Sequence, residues 1–318
     1  MKVAKAKVQL PDMNTFAERM EKIARAAMPK SPVFWGAMLA VFVYSLVVVY
    51  FVNFLPHMQA MEAEDITTKT SIAIGLIFAF RVNSSYDRWW EGRKLWGQLV
   101  NELRNLCIKY DLYFQSTTDE KKAFGNLVVA FAFALKNHLR DRKYDLTHAG
   151  IEVSDDKADH VPLYISQLIY KNVQKKALEN QILKANASNI DSHLELLLLD
   201  SHMKALMDVC GACERIKSSP VAGWIQASIW IWMMAYFAIL PWLLADQFRL
   251  WSVAIELFAA YFAIALELLA EDMQEPFGYD QNDLPTDIIC LGIAKTTNQI
   301  LGTETVIARF DGHLTTIR

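Results

Sequence analysis

Thr68, Ile72, Leu76 and Phe80 fall at i, i+4, i+8 and i+12, so any helix built there presents all four on one face. Repeated around a symmetry axis, the three apolar members would stack into hydrophobic rings, a constriction that gates ions by dewetting. Gly75 in the same segment permits close helix approach. The alternative is that the stripe faces lipid or a neighbouring helix, and periodicity alone leaves both open. Directly after it comes Arg81-Val-Asn-Ser-Ser-Tyr-Asp-Arg-Trp-Trp-Glu-Gly-Arg-Lys-Leu-Trp-Gly, dense in basic and aromatic side chains. Arg88, Trp89 and Trp90 suit an interfacial anchor, and the Asn, Ser, Asp and Arg groups equally suit a lining for partly hydrated ions.

Other chemistry-bearing residues have plainer explanations. Cys210-Gly-Ala-Cys213 has the spacing of a redox or zinc half-site, yet no second such pair or paired-histidine motif accompanies it, and a packed helix is the default. No metal site is assigned from the sequence. Cys107 and Cys290 stand alone and are expected to be reduced thiols. Glu256, Glu267, Glu271 and Asp272 invite a proton-relay or cation-site hypothesis, with the last two expected at an aqueous interface. The acidic stretch Tyr279-Asp280-Gln281-Asn282-Asp283 offers Asp280 and Asp283 as oxygen ligands for a cation, but lacks the twelve-residue calcium-loop pattern. Turn formation is its default reading, with Asp283 as N-cap and Pro285 in the first turn of a following helix. There is no Walker loop, GxGxxG, GxSxG or HExxH, and seven scattered histidines do not replace them. Neither an enzyme nor a cofactor is expected.

The elements that position these residues are hydrophobic. The chain has 318 residues, 53% of them apolar, with 32 Lys+Arg against 35 Asp+Glu and a net charge of -3. That apolar excess calls for a membrane, and the absence of a basic surplus argues against nucleic acid as a partner. Val33–Leu55 is uncharged and about 34 Å long as a helix; Val221–Ala245, with Trp224, Trp230, Trp232 and Trp242, is about 37 Å and carries a potential kink at Pro241. The first of these begins too far in and runs too long for a cleaved leader. Ile66–Phe80 is shorter and contains Lys69, and Trp251–Ala270 contains two glutamates, so both are expected as inner helices shielded by the apolar pair.

Four transmembrane helices follow, in an all-α membrane protein with a large helical water-facing region. Residues 1–32 carry seven Lys/Arg, whereas 56–65 carry none and include Glu62, Glu64 and Asp65. By the positive-inside rule the N-terminal segment 1–32 is cytoplasmic, 33–80 holds two spans, 81–219 is cytoplasmic and helical, 220–270 holds two more spans, and 271–318 is cytoplasmic. The expected location is a cell inner or plasma membrane. Within 81–219 the apolar run Asn126–Leu135 is too short to span and is expected to be a buried helix; turns are expected at Ser116–Asp119 and His148–Asp159. The tail after Ile300 is expected to be extended or loosely ordered.

Arg88-Trp89-Trp90-Glu91-Gly92-Arg93-Lys94-Leu95-Trp96-Gly97, together with Pro276-Phe277-Gly278 and Asn282-Asp283-Leu284-Pro285, resembles the bestrophin family, its bacterial branch in particular. The resemblance runs from about residue 30 to 300. It implies a homopentameric channel for small monovalent ions, with one central pore through the lipid bilayer. Its neck would be Ile72, Leu76 and Phe80, counted back from Arg88; the charge topology, not the resemblance, puts Thr68 with Glu62, Glu64 and Asp65 at the outer entrance, where the acids lean toward cations. The family's cytosolic aperture falls at Val221 after Pro220, with Ser219 the rival. Animal members carry consecutive acids after Pro-Phe-Gly that clasp calcium. Only Asp280 and Asp283 remain here, so calcium gating is not expected. The resemblance puts chloride first, because animal members conduct it; monovalent cations (Na+ or K+) are the alternative, since bacterial relatives can prefer them. A proton-coupled transporter built on Glu256 or Glu267 ranks lower for want of an inverted repeat, and a membrane-anchored scaffold is the remaining reading.

Overall fold

The computed structural model describes residues 31–54, 64–142, 159–184, 192–220, 223–280 and 282–304, and among them it is helical with no strand. The helices are α1 (Pro32–Phe54), α2 (Glu64–Tyr113), α3 (Thr118–Leu139), α4 (Val161–Lys184), α5 (Ser192–Ser218), α6 (Gly223–Phe248), α7 (Trp251–Gln274) and α8 (Thr286–Leu301). Three are long and apolar enough to cross a membrane: Pro32–Val52, Gly223–Phe248 and Trp251–Gln274. The N-terminal part of α2, with Lys69 and Thr residues among its apolar side chains, does not reach that measure by composition. Pro241 lies inside an unbroken helix that continues to Phe248.

The chain divides into two compact units, one of residues 1–80 with 227–268 and one of 81–226 with 269–318. In the first, Phe34 of α1, Phe78 of α2, Ile229, Met233, Phe237 and Leu240 of α6, and Ala260, Ala263 and Ile264 of α7 form the core. Tyr44 Oη donates to Ala238 O at 2.7 Å and accepts from Trp242 Nε1 at 2.9 Å, so Trp242 of α6 is tied to α1 through a tyrosine.

The second unit is organised around α3. Its run Val-Val-Ala-Phe-Ala-Phe-Ala-Leu, residues 128–135, is buried on every face, as a helix without a polar side must be. It packs against α4, α5 and α8, and α4 packs against α5. Thr117 starts α3 with a capping box: its hydroxyl accepts from Glu120 N, and Glu120 Oε2 accepts from Thr117 N at 2.8 Å. The Glu120 carboxylate also pairs with Lys176 of α4, which draws its pKa down to about 2. At the other end, Gly302 closes α8 in the left-handed conformation, φ 64°. Residues after 304, where an extended or loosely ordered tail was expected, lie outside the described residues, as does the expected turn at 148–158.

The expected second span ends at Phe80 and the expected helical region begins at Arg81, but no helix boundary falls between them. A single 50-residue helix runs from Glu64 to Tyr113. No proline interrupts this stretch, and change of polarity by itself does not end a helix.

Candidate functional site

The first part of α2 turns two different faces outward and inward. Ile74 and Phe78 pack on the core of their unit, and Ser71 Oγ shares a 2.8 Å hydrogen bond with Tyr236 Oη of α6. The opposite face carries Ile72, Leu76 and Phe80, which are 68%, 56% and 68% exposed in the single chain. Three large apolar side chains one turn apart are thus left for lipid or another protein surface to cover. Thr68, Glu64 and Asp65 lie on the first turns of the same helix, where only the backbone is described, and Glu62 lies outside the described residues.

Further along α2, Tyr86 stacks on both Trp89 and Trp90, with ring centroids 6.3 Å apart in each pair. Trp89 Nε1 donates to the carbonyl of Asn282 at 3.0 Å, and Trp90 is 45% exposed. Arg88 satisfies three carbonyls at once. Its Nη1 donates to Ser219 O at 2.6 Å, Nη2 to Ile216 O at 2.7 Å and Nε to Gln274 O at 3.2 Å. The last carbonyls of a helix have no partner within it, so one guanidinium caps the ends of both α5 and α7. Ser219 is exposed and its backbone position is set by Arg88; Val221 lies outside the described residues.

Pro276-Phe277-Gly278 and Asn282–Pro285 form a loop docked on α2. Phe277 and Leu284 are buried, and Leu284 N donates to Pro276 O at 2.9 Å. Both side chains rest on Gly92, where an added Cβ would lie 3.2 Å from each. Gly278 is required for a different reason: a Cβ there would sit 2.7 Å from Asp283 Oδ2. That oxygen accepts from Asp280 N at 2.5 Å, so Asp283 folds the loop on itself. Its expected role as N-cap is therefore wrong. Pro285 occupies the N-cap position, α8 begins at Thr286, and no side chain caps it. Burial, with Asp280 and Asp272 nearby, pushes the Asp283 carboxyl up to about 6. Asn282 Nδ2 is bound by Asp272 Oδ2 at 2.9 Å. The loop thus uses Asp283 and Asp272 as internal acceptors rather than as an open carboxylate cluster.

Arg140, at the end of α3, ties this loop to α8. Its Nε donates to Phe277 O at 3.1 Å, its Nη1 pairs with Asp287 Oδ2 at 2.7 Å, and it lies over the Tyr279 ring. Lys136 pairs with the other Asp287 oxygen at 2.6 Å. Burial acts to raise the Asp287 pKa, but the two cations outweigh it and hold the carboxyl below its usual range. A cavity of about 340 Å³ opens beside Arg88, Arg140, Lys217, Gln274 and Phe277.

The remaining candidates fall into place individually. Glu256 and Glu267 are fully buried in the first unit, with the Ser45 hydroxyl bonded to Glu256. Gln226 Nε2 donates to Glu271 at 3.0 Å. All four cysteines are buried free thiols; burial raises Cys107, Cys213 and Cys290 to about 12 and raises Cys210 also, so none is a ready nucleophile. Sequence reasoning missed two constellations: the pairing of Asp287 with Lys136 and Arg140, and a cluster of His138, His160 and Glu214. Their members stand many residues apart, and no local motif announces them.

Comparison with known proteins shows which family the chain resembles and which fold it shares. A family model described as bacterial/fungal bestrophin protein matches residues 7–299. A voltage-dependent anion channel-forming protein of a Nostoc species is 31% identical over 229 residues, 69% of this chain and 72% of that protein. The voltage-dependent anion channel-forming protein YneE of Escherichia coli is 25% identical over 261 residues, 79% of this chain and 81% of that protein. Among solved structures, a bacterial bestrophin homologue from Klebsiella pneumoniae superposes with a TM-score of 0.72 at 21% identity, covering 84% of this chain and 98% of that one, a likeness of fold.

Proposed function

The chain belongs to the bacterial and fungal bestrophin family, and from that premise we propose that it forms an anion channel in a cell membrane, assembled from several copies around one pore. The observation that carries the reading is the exposed face of α2. Ile72, Leu76 and Phe80 are large, apolar, one turn apart and uncovered in the single chain. Five copies with this face inward would build three stacked rings, narrow enough to exclude water when closed and to pass an ion only when wetted. The relatives' description as anion channel-forming proteins supports anions over other cargo.

In this reading α1, the first part of α2, α6 and α7 are the four spans. Residues 1–32, 81–219 and 271–318 face the cytoplasm of a bacterial inner membrane. Ser219 and Val221 form the second constriction, held by Arg88 through the Ser219 carbonyl. Thr68, Glu62, Glu64 and Asp65 stand at the outer entrance, and chloride is the principal ion. Those entrance carboxylates favour a second reading, a monovalent cation channel, because acidic mouths concentrate cations.

One experiment separates the readings. Purified protein in a planar bilayer under an asymmetric KCl gradient should carry current that reverses near the chloride equilibrium potential. Reversal near that of potassium would establish the cation reading, and absence of current would remove the channel assignment.

A further inference from the structure

Away from α2 and its docked loop, three helices bring metal-ligating chemistry to one point. His138 stands in the last turn of α3, His160 immediately precedes α4, and Glu214 lies on α5. His138 Nε2 is 2.7 Å from Glu214 Oε1, and His160 Nε2 is 2.9 Å from the same oxygen. The two imidazoles stack with centroids 4.6 Å apart. Cys210, one turn before Glu214, donates its thiol to that oxygen at 3.7 Å. Three donors therefore converge on a single carboxylate oxygen that has two lone-pair directions.

The crowding resolves if a cation takes the centre. Each of the three donors becomes a ligand by giving up or relocating one proton, and two imidazoles, a carboxylate and a thiolate are the donor set of zinc-class ions. In a tetrahedral zinc site neighbouring ligand atoms lie about 3.3–3.7 Å apart, which follows from bonds of about 2.0–2.3 Å. The distances to Glu214 Oε1 are 2.7, 2.9 and 3.7 Å, and the ligand atoms of His138, His160 and Glu214 lie within 4.8 Å of one another. The ion is therefore admitted when the two imidazoles draw back from the carboxylate by about half an ångström and the Cys210 thiol swings toward them. Access is open: the side chains of His138, His160 and Glu214 are 27%, 33% and 34% exposed.

We propose that His138, His160 and Glu214 bind a divalent transition-metal ion of the zinc class, with Cys210 as fourth ligand, clamping α3, α4 and α5 together. Binding has one local consequence. His160 Nδ1 now accepts from Leu163 N at 3.1 Å; ligation through Nε2 moves the ring proton to Nδ1, and the Leu163 amide at this exposed helix start turns to water. The Cys210 proton passes to solvent.

The test uses the full chain in detergent, stripped with a chelator and titrated with zinc alone against a fluorescent zinc indicator, with thermal unfolding measured in parallel. The expected result is one zinc ion per chain and a zinc-dependent rise in Tm. Affinity should fall at least 100-fold in His138→Ala and His160→Gln, in line with the loss of a direct ligand rather than of an outer hydrogen bond. His202→Ala, whose imidazole pairs with Glu102 elsewhere at 2.6 Å, should bind as wild type and serves as the folded control. Zinc-edge absorption should show one sulfur ligand that disappears in Cys210→Ser. Equal zinc binding by wild type and His160→Gln, or no binding by wild type under zinc excess, overturns the site. An absorption spectrum without sulfur overturns the fourth ligand.

Discussion

Arg88 Nη1 donates to the carbonyl oxygen of Ser219 at 2.6 Å, while the other two donor nitrogens of the same guanidinium hold Ile216 O and Gln274 O. Replacing Arg88 by Ala leaves three helix-end carbonyls without their charged donor. The expected cost is about 1.5–3 kcal/mol, the range for hydrogen bonds to charged groups, at its low end because the Ser219 end is exposed. Arg88→Lys keeps charge but not the fork, and should fall between. If Ser219 forms the proposed second constriction, Arg88→Ala should also change single-channel conductance. Wild-type currents from this variant would detach Ser219 from the permeation path.

The apolar face of α2 makes a second prediction. If these residues form the proposed pore neck, changing Ile72, Leu76 and Phe80 together to Ala would widen it and lower the barrier to wetting, so conductance or open probability should rise severalfold. The three side chains are exposed in the single chain, and the subunit should fold with little change in thermal stability if they line a pore. A triple variant that conducts like wild type would mean the stripe faces lipid.

Acidity should affect the loop after α7 through Asp283. Its carboxyl has an ordinary value of 3.8 and is raised to about 6 in the folded chain, chiefly by burial. The folded state binds the proton more tightly, so this stabilisation is complete below 3.8 and is lost as pH rises through about 6. Asp283→Asn, permanently neutral and still able to accept from Asp280 N, should remove that decline from the pH profile of Tm. Gly278→Ala should destabilise at every pH, because the new methyl displaces the Asp283 carboxylate. A wild-type profile that is flat between pH 4 and 6 contradicts the assignment.

Asp287 behaves in the opposite sense. Lys136 and Arg140 hold it below 3.8, so its contribution is complete above that value and is lost as pH falls beneath it. Asp287→Ala strands two cations whose side chains are 9% and 7% exposed. Breaking a fully buried pair costs about 3–5 kcal/mol; with Asp287 itself 41% exposed, roughly 2–3 kcal/mol is expected in denaturant unfolding. A loss within the error of the measurement would show that water already screens the pair.

Much of this was legible in the sequence because it is periodic or local. The Ile72, Leu76 and Phe80 stripe, the buried run of α3 and the turn at Ser116–Asp119 each announce themselves within a few turns. The continuity of α2 did not. Arg81 to Trp90 changes polarity sharply, and composition does not tell whether a helix continues across such a change. Asp283 is ambiguous in its own way. An acid two residues before Pro285 fits a cap, but a short loop can spend the same carboxylate on its own backbone, and only the three-dimensional path of residues 276–284 decides which. The groups around Glu214 and Asp287 are long-range by construction: His138 meets Glu214 from 76 residues away, and Lys136 meets Asp287 from 151.

The unbroken course of α2 gives the chain one continuous strut. Its 50 residues span about 75 Å as a single hydrogen-bonded ladder, with no hinge between Phe80 and Arg81. Phe277 and Leu284 against Gly92, with the Asn282 carbonyl on Trp89, grip the stretch of α2 that belongs to the second unit. A turn of helix that lost its backbone hydrogen bonds anywhere along this strut would have no loop to absorb the break, so its cost falls on the helix itself.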